Sequence, residues 1–156
     1  MKRWRYPLGL VAWIWLAMSA GLVGSRFRPG EWYAGLAKPS WTPPNLVFPL
    51  AWTLLYLLMG YAAFRVWHRH GFAGARVALG LWGIQLVLNA VWSWLFFGRQ
   101  AIGAAFFEIL MLWAAILATF LAFRQRDILA ARLLLPYLAW VGFAWVLNFA
   151  VWRLNA

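Results

Sequence analysis

The chain contains no cysteine, and only three of its 156 residues are acidic. Without cysteine there is no disulfide, no thiolate metal site and no cysteine nucleophile. So few carboxylates also argue against catalysis by a pair of acids. The motifs GxSxG, GxxxxGK[ST], GxGxxG and HExxH are absent as well. Neither inverted repeats nor broken helices, which mark many secondary transporters, are evident. The sequence therefore carries no signature of the common soluble enzymes or of a coupled transporter.

Charge is scarce, because only 11% of the residues are charged and 66% are apolar. Soluble domains average about a quarter charged residues, so this composition is typical of a membrane protein. The net charge of +11 could indicate nucleic-acid binding. The basic residues lie at the ends of apolar runs and do not form one stripe, so we expect them to contact lipid headgroups and expect no nucleic-acid partner.

Five apolar runs follow one another along the chain: residues 7–25, 46–64, 77–97, 102–123 and 133–152. Each has roughly the 20 residues that cross about 30 Å of hydrocarbon as a helix. Glu108 is the one charged residue in these runs. Backbone N–H and C=O groups in lipid must form their hydrogen bonds within the protein, so continuous apolar runs favour helices. We predict an all-α membrane protein, a five-transmembrane-helix bundle that forms a single domain over residues 1–156.

The first run has an alternative interpretation. Basic residues precede it, and residues 17–19 resemble the cleavage site of a signal peptide. The run is long for that role, and we favour a retained first helix. Small residues recur at helical spacing in two places: Ala17, Ala20, Gly21 and Gly24 in the first run, and Gly80 and Gly83 in the third. Each patch predicts either a close helix contact within the monomer or a dimer face.

Basic residues predict the orientation. With the N-terminus in the cytoplasm, nine basic residues lie on the cytoplasmic side: Lys2, Arg3, Arg5, Arg65, Arg69, Arg76, Arg124, Arg126 and Arg132. Five lie on the opposite side: Arg26, Arg28, Lys38, Arg99 and Arg153. This bias favours a cytoplasmic N-terminus, with the first loop, residues 26–45, on the other side.

The first loop contains the segment WYAGLAKPSWTPP, residues 32–44. Its three prolines prevent a regular membrane helix. Its three large aromatic residues, Trp32, Tyr33 and Trp41, suit either the boundary between lipid and water or the mouth of a pocket. The loop is therefore either an interfacial connector or a lid over a cavity between helices.

Polar side chains within the runs are candidates for function. Gln85, Asn89 and Asn148 share helix faces with tryptophans. They serve either as hydrogen-bonding contacts between helices or as polar groups of a shared cavity. Glu108 is either functional or structural, paired with Arg99 or with water near the headgroups. The two histidines lie on a basic connector and do not predict a metal site.

Four segments carry a resemblance to a known family. They are WYAGLAKPSWTPP (32–44), FPLAWTLLYLLMGYA (48–62), QLVLNAVWSWLFFG (85–98) and PYLAWVGFAWVLNFAVWRLN (136–155). In order and spacing they closely resemble the TspO/MBR family over nearly the whole chain. Its members are called tryptophan-rich sensory proteins in bacteria and translocator proteins, or peripheral benzodiazepine receptors, in mitochondria.

The resemblance implies a five-helix bundle, often dimeric, with the long first loop acting as a lid over a cavity. It implies a multi-pass protein of the bacterial cell membrane that is a receptor for porphyrins (haem-type tetrapyrroles) and other hydrophobic small molecules. A sensory or stress-regulatory role would follow, with membrane lipids and a second copy as partners and no obligatory cofactor or metal. Mitochondrial members also bind cholesterol and benzodiazepine-site drugs. Here Phe149 replaces the tyrosine of their sterol motif, which weakens the expectation of sterol binding.

The resemblance also implies the site residues. The ligand-binding set is Trp32, Tyr33, Lys38, Pro39, Trp41, Pro44, Trp52, Tyr56, Asn89, Trp92, Trp140, Phe143, Ala144 and Leu147. An alternative function is light-dependent porphyrin degradation, in which Trp52 and Trp140 would be the catalytic electron donors. A second alternative is transport of a tetrapyrrole or lipid.

Overall fold

The structure is a computed structural model, and it describes residues 5–156. Lys2 and Arg3, which contribute to the charge bias, lie outside the described residues. The described part of the chain is helical and contains no strand, which confirms the all-α class. The elements are α1 (Arg5–Gly24), α2 (Glu31–Gly35), α3 (Val47–Ser93), a π-helical turn (Trp94–Gly98), α4 (Ile102–Arg124), α5 (Ile128–Arg132) and α6 (Leu135–Asn155).

The longest helix, α3, folds back on itself. Its 47 residues would extend about 70 Å if straight. Gly71 instead has φ of 64° and ψ of −179°, and Ala75 is also non-helical. The Trp82 indole N–H donates to the Met59 carbonyl oxygen at 3.1 Å, so residues 47–70 (the first arm) and 76–93 (the second arm) run antiparallel. Glycine suits the reversal because a positive φ with an extended ψ is strained for other residues.

Four helical stretches of residues 5–156 are long and apolar enough to cross a membrane: Tyr6–Gly24, Val47–Gly98, Ile102–Arg124 and Ile128–Asn155. The second of these stretches, Val47–Gly98, contains both arms of α3. Large apolar side chains such as Leu8, Leu50 and Val77 are about two-thirds exposed. So many exposed large apolar side chains are unusual on a soluble monomer and are what lipid-facing helices present.

Contacts between connectors define two ends of the bundle. The Tyr6 ring lies 5.2 Å from the His68 ring, and a ring nitrogen of His70 lies 3.1 Å from the carbonyl oxygen of Arg126. The start of α1 therefore lies at the same end of the bundle as the two arginine-rich segments 65–76 and 124–132. The first loop contacts the last turn of α6 at the other end. These two ends correspond to the two sides of the membrane between which the basic residues were divided in the sequence analysis.

Helix α1 packs on the first arm at glycines. A Cβ added at Gly60 would lie 2.7 Å from the Ile14 Cα, and one at Gly21 would lie 2.6 Å from the Tyr56 ring. The small residues of α1 thus serve a close contact within the monomer. A Cβ at Gly80 on the second arm would meet nothing within 4 Å.

A chain of hydrogen bonds connects the helices in the core. The Tyr56 hydroxyl donates to Asn89 Oδ1 at 2.7 Å, and Asn89 Nδ2 donates to the Tyr137 hydroxyl oxygen at 2.9 Å. The Tyr137 hydroxyl donates to Gln85 Oε1 at 2.8 Å. These bonds join both arms of α3 to α6, so Gln85 and Asn89 act as contacts between helices.

Candidate functional site

A cavity of about 650 Å³ lies at the first-loop end of the bundle. Its walls come from α1, both arms of α3, the π-helical turn and α6, and residues of the first loop line its mouth. Its volume is within the range of small-molecule sites, about 300–1,000 Å³.

Trp52 of the first arm and Trp140 of α6 both line this cavity. The Trp52 ring stacks on Tyr56, with 5.7 Å between centroids and 27° between planes. The Trp140 ring meets Phe48 edge to face at 5.8 Å. Within residues 5–156 the indole N–H of Trp140 is buried and has no hydrogen-bond acceptor. A buried unpaired donor is destabilising by about 1–3 kcal/mol, so this N–H is suited to a ligand acceptor.

The π-helical turn adds a second aromatic wall. Trp92 stacks on Phe96, with centroids 5.1 Å apart, and both line the cavity with Phe97. Tyr33 of α2 lies against Phe97 at 5.6 Å. Widened helical turns often occur at functional sites, and here the turn brings adjacent phenylalanines to the cavity and to the first loop.

Asn148 fixes one of these rings. Its Oδ1 accepts from the Trp92 indole N–H at 3.1 Å, and its Nδ2 donates to the Ile102 carbonyl oxygen at 3.0 Å. The side chain lines the cavity, but its amide oxygen and its amide nitrogen each already make one hydrogen bond. Asn148 therefore connects three elements and holds the Trp92 ring in place.

The first loop is held by polar contacts. Lys38 Nζ donates to the carbonyl oxygens of Tyr33 at 2.6 Å and Leu36 at 3.0 Å. The Ala37 N–H donates to Asn155 Oδ1 at 3.0 Å. Burial raises the pKa of the Tyr33 hydroxyl above its ordinary value, so this group stays neutral beside the cavity.

Half of the expected ligand-binding residues line the cavity. These seven are Tyr33, Trp52, Tyr56, Trp92, Trp140, Ala144 and Leu147. They come from the loop, both arms of α3 and α6, so the fold brings together residues that are far apart in sequence.

The other seven are not among the residues that line the cavity. Four of them belong to the first loop: Trp32, Pro39, Trp41 and Pro44. Trp41 contacts Phe143, with ring centroids 5.9 Å apart, and Phe143 contacts Trp140 at 5.7 Å. Asn89 belongs to the core hydrogen bonds, and Lys38 binds backbone carbonyls. Trp41 and Phe143 thus pack against the Trp140 side of the cavity, whereas Lys38 and Asn89 are held by other contacts.

Several lining residues were not expected from the sequence. Phe48 and Phe96 share helix faces with the tryptophans, and that spacing was a usable signal. Asn148 lines the cavity too, which is one of the two roles that the sequence left open for it. Other lining residues come from α1 and the segment after it: Met18, Gly21, Leu22, Gly24, Ser25, Phe27, Arg28 and Pro29. Because α1 is apolar on every side, its row of small residues was the one local signal of its inward face, and that signal predicted a helix contact and not a cavity wall.

Comparisons with known proteins agree over most of the chain. The profile of the TspO/MBR family matches residues 12–153. The translocator protein of Homo sapiens is 49% identical over 146 residues, which cover 90% of this chain and 86% of that protein. The tryptophan-rich protein TspO of Chlorobaculum tepidum is 42% identical, with 95% and 96% covered. The tryptophan-rich sensory protein of Cereibacter sphaeroides is 43% identical, with 85% and 82% covered.

Proposed function

The chain belongs to the TspO/MBR family of membrane proteins, and we propose that it is an integral membrane receptor for a tetrapyrrole. The two arms of α3 count as separate spans, so that five helices cross the bilayer and the first loop acts as a lid. The flat macrocycle lies in the aromatic cavity, with its edge toward the Trp140 indole N–H.

The observation that carries the proposal is the joint placement of Trp52 and Trp140 in one cavity. Large flat ligands bind well between aromatic side chains, because stacking buries apolar area without fixing many rotatable bonds. The unpaired N–H of Trp140 adds a directional donor, which suits a ring that carries nitrogen and oxygen acceptors at its edge.

Titration of protoporphyrin IX, followed by its absorption band, tests the receptor. Trp140→Ala should weaken binding by about 1–3 kcal/mol, on the scale of base stacking on aromatic side chains. Trp140→Phe keeps an aromatic ring, though a smaller one, and loses the N–H, so its loss of affinity should be smaller than that of Trp140→Ala. Trp15→Ala is the control, because Trp15 is 64% exposed on α1 and does not line the cavity. Equal affinities for wild type, Trp140→Ala and Trp15→Ala would refute this pocket.

A second candidate function is light-dependent porphyrin degradation, which is favoured by the position of Trp52 between other oxidisable rings. Tyr56 lies 5.7 Å and Tyr137 6.1 Å from it, centroid to centroid. Tryptophan can transfer an electron to an excited porphyrin, with dissolved dioxygen as the final oxidant. Under illumination Trp52→Phe should bleach bound porphyrin more slowly. The same rate in both proteins excludes Trp52 as the donor, and flux into proteoliposomes would separate either function from transport.

The proposal includes a homodimer in a bacterial cell membrane, with the N-terminus in the cytoplasm. The second arm supports a dimer contact because Gly80 is exposed, a Cβ at Gly80 or Gly83 meets nothing within 4 Å, and glycines allow close helix approach in lipid. Chemical cross-linking in membranes tests it. Gly83→Leu should reduce the dimer, whereas Gly30→Leu in the first loop should not.

A further inference from the structure

The mouth of the cavity carries one charged side chain among the described residues that line it. This residue is Arg28, which lies just after α1 and is exposed. The rest of the lining is apolar, aromatic or neutral polar, and no acid is part of it. The cavity is therefore polarised, with an apolar interior and a positive charge at the opening.

Two other cations near this end, Lys38 and Arg99, are engaged elsewhere. Lys38 Nζ contacts three backbone carbonyl oxygens, those of Tyr33, Leu36 and Ala34, at 2.6, 3.0 and 3.4 Å. The Arg99 guanidinium lies over the Trp94 ring at 5.8 Å. Neither residue lines the cavity, and Lys38, one of the expected ligand-binding residues, is occupied by the backbone of its own loop.

Arg28 has no carboxylate partner of its own in the part of the chain that the structure describes. The ion pairs found there both involve Asp127, at the opposite end of the bundle. Glu31, the nearest acid along the sequence, makes no ion pair with it. An arginine in water at the edge of an apolar pocket can form a two-point, charge-assisted contact without a large desolvation cost.

We propose that Arg28 selects ligands that carry a carboxylate on a large apolar body, and that it binds that carboxylate at the cavity mouth. This inference rests on the proposed receptor function and names the chemistry of its ligand. The apolar body fills the aromatic interior, and the anionic group remains at the opening in contact with the guanidinium and water. A fully apolar ligand of the same shape gains only the interior contacts.

The test compares protoporphyrin IX, a dicarboxylic acid, with its dimethyl ester, which has the same ring and no charge. The full-length protein is reconstituted in nanodiscs of phosphatidylcholine, which carries no net charge. Wild type should bind the acid about tenfold more tightly than the diester, which corresponds to about 1.4 kcal/mol. Arg28→Gln should lose that preference and keep its affinity for the diester. Raising the salt concentration should weaken only acid binding by the wild type.

Arg26→Gln is the matched control, because Arg26 lies two positions earlier, is exposed and does not line the cavity. It should behave as wild type with both ligands. Diester binding by Arg28→Gln reports that the variant is folded. If Arg28→Gln retains the preference for the acid, or if Arg26→Gln loses it equally, the inference is wrong and the receptor stands. If wild type binds neither ligand, the proposed function fails and the inference fails with it.

Discussion

The side-chain amide of Asn155 and the peptide group of Ala37 form two hydrogen bonds across 118 positions of sequence. The Ala37 N–H donates to Oδ1 at 3.0 Å, and Nδ2 donates to the Ala37 carbonyl oxygen at 2.8 Å. Nδ2 also donates to the Val151 carbonyl oxygen at 2.7 Å, which fixes the rotamer. The last turn of α6 thus holds the loop that borders the cavity mouth.

Asn155→Ala should release this loop. Each hydrogen bond contributes about 0.5–1.5 kcal/mol net, so the loss of two should raise the open population of the loop about 5- to 150-fold. Hydrogen exchange of residues 31–45 should quicken while exchange in α4 stays unchanged. Asn155→Asp keeps the acceptor for the Ala37 N–H, so its exchange rate should lie between those of wild type and Asn155→Ala. Wild-type exchange in Asn155→Ala would show that other contacts hold the loop.

Gly60→Ala should weaken the packing of α1. The new Cβ would lie 2.7 Å from the Ile14 Cα and 3.0 Å from the Trp13 carbonyl oxygen. Both are backbone atoms, so the helices must separate, at about 1–3 kcal/mol for overpacking. Thermal unfolding in detergent should show a lower midpoint. Gly142→Ala in α6 is the control, since its Cβ would lie 3.5 Å from the Trp113 indole nitrogen, an ordinary van der Waals distance, and alanine favours a helix. Equal midpoints for the two variants would contradict this crossing.

The sequence predicted the helices because length and apolarity decide membrane spans locally. The Phe48, Trp52 and Tyr56 face was readable for the same reason, since a helix repeats every three to four residues. The role of Lys38 was not readable. Its ammonium binds carbonyls of its own loop, and that choice depends on the loop backbone, which the residue types do not encode.

The polar amides show a similar limit. Their position on tryptophan-bearing faces fitted either a contact between helices or a cavity group. Asn89 is hydrogen-bonded to the hydroxyl groups of Tyr56 and Tyr137, whereas Asn148 lines the cavity and also binds Trp92. Which partner an amide finds depends on how neighbouring helices are rotated, and that rotation comes from packing over the whole bundle.

Asp127 should make stability depend on acidity. Its Oδ1 accepts the N–H groups of Leu129 and Ala130 at the start of α5, and its carboxylate pairs with Arg65 at 2.9 Å. Burial alone would raise the pKa of Asp127. The Ala130 N–H and the guanidinium groups of Arg65 and Arg69 outweigh burial, so the pKa is lowered.

Because this pKa is lower in the folded state, the stabilisation is present above the ordinary aspartate value of about 3.9. It is lost as the pH falls through the lower folded value. Asp127→Asn keeps an N-cap acceptor and loses the ion pair, so it should unfold at a lower temperature than wild type near neutral pH. The two melting points should converge in acid. Asp127→Ala also loses the cap and should cost about 0.5–2 kcal/mol more. A constant gap between wild type and Asp127→Asn would contradict the charge contribution.

Glu108 should be a destabilising residue of the isolated chain. Its side chain is buried, and within residues 5–156 neither carboxylate oxygen has a hydrogen-bond partner. Among the described residues it makes no ion pair with Arg99. An unpaired buried polar group is unfavourable by about 1–3 kcal/mol, so Glu108→Met, of similar length, should raise the melting temperature in detergent. Gln85→Met is the matched comparison: Gln85 is equally buried but accepts from the Tyr137 hydroxyl, so its loss should lower the melting temperature. If Glu108→Met also lowers it, the carboxyl has a partner that the single chain does not provide.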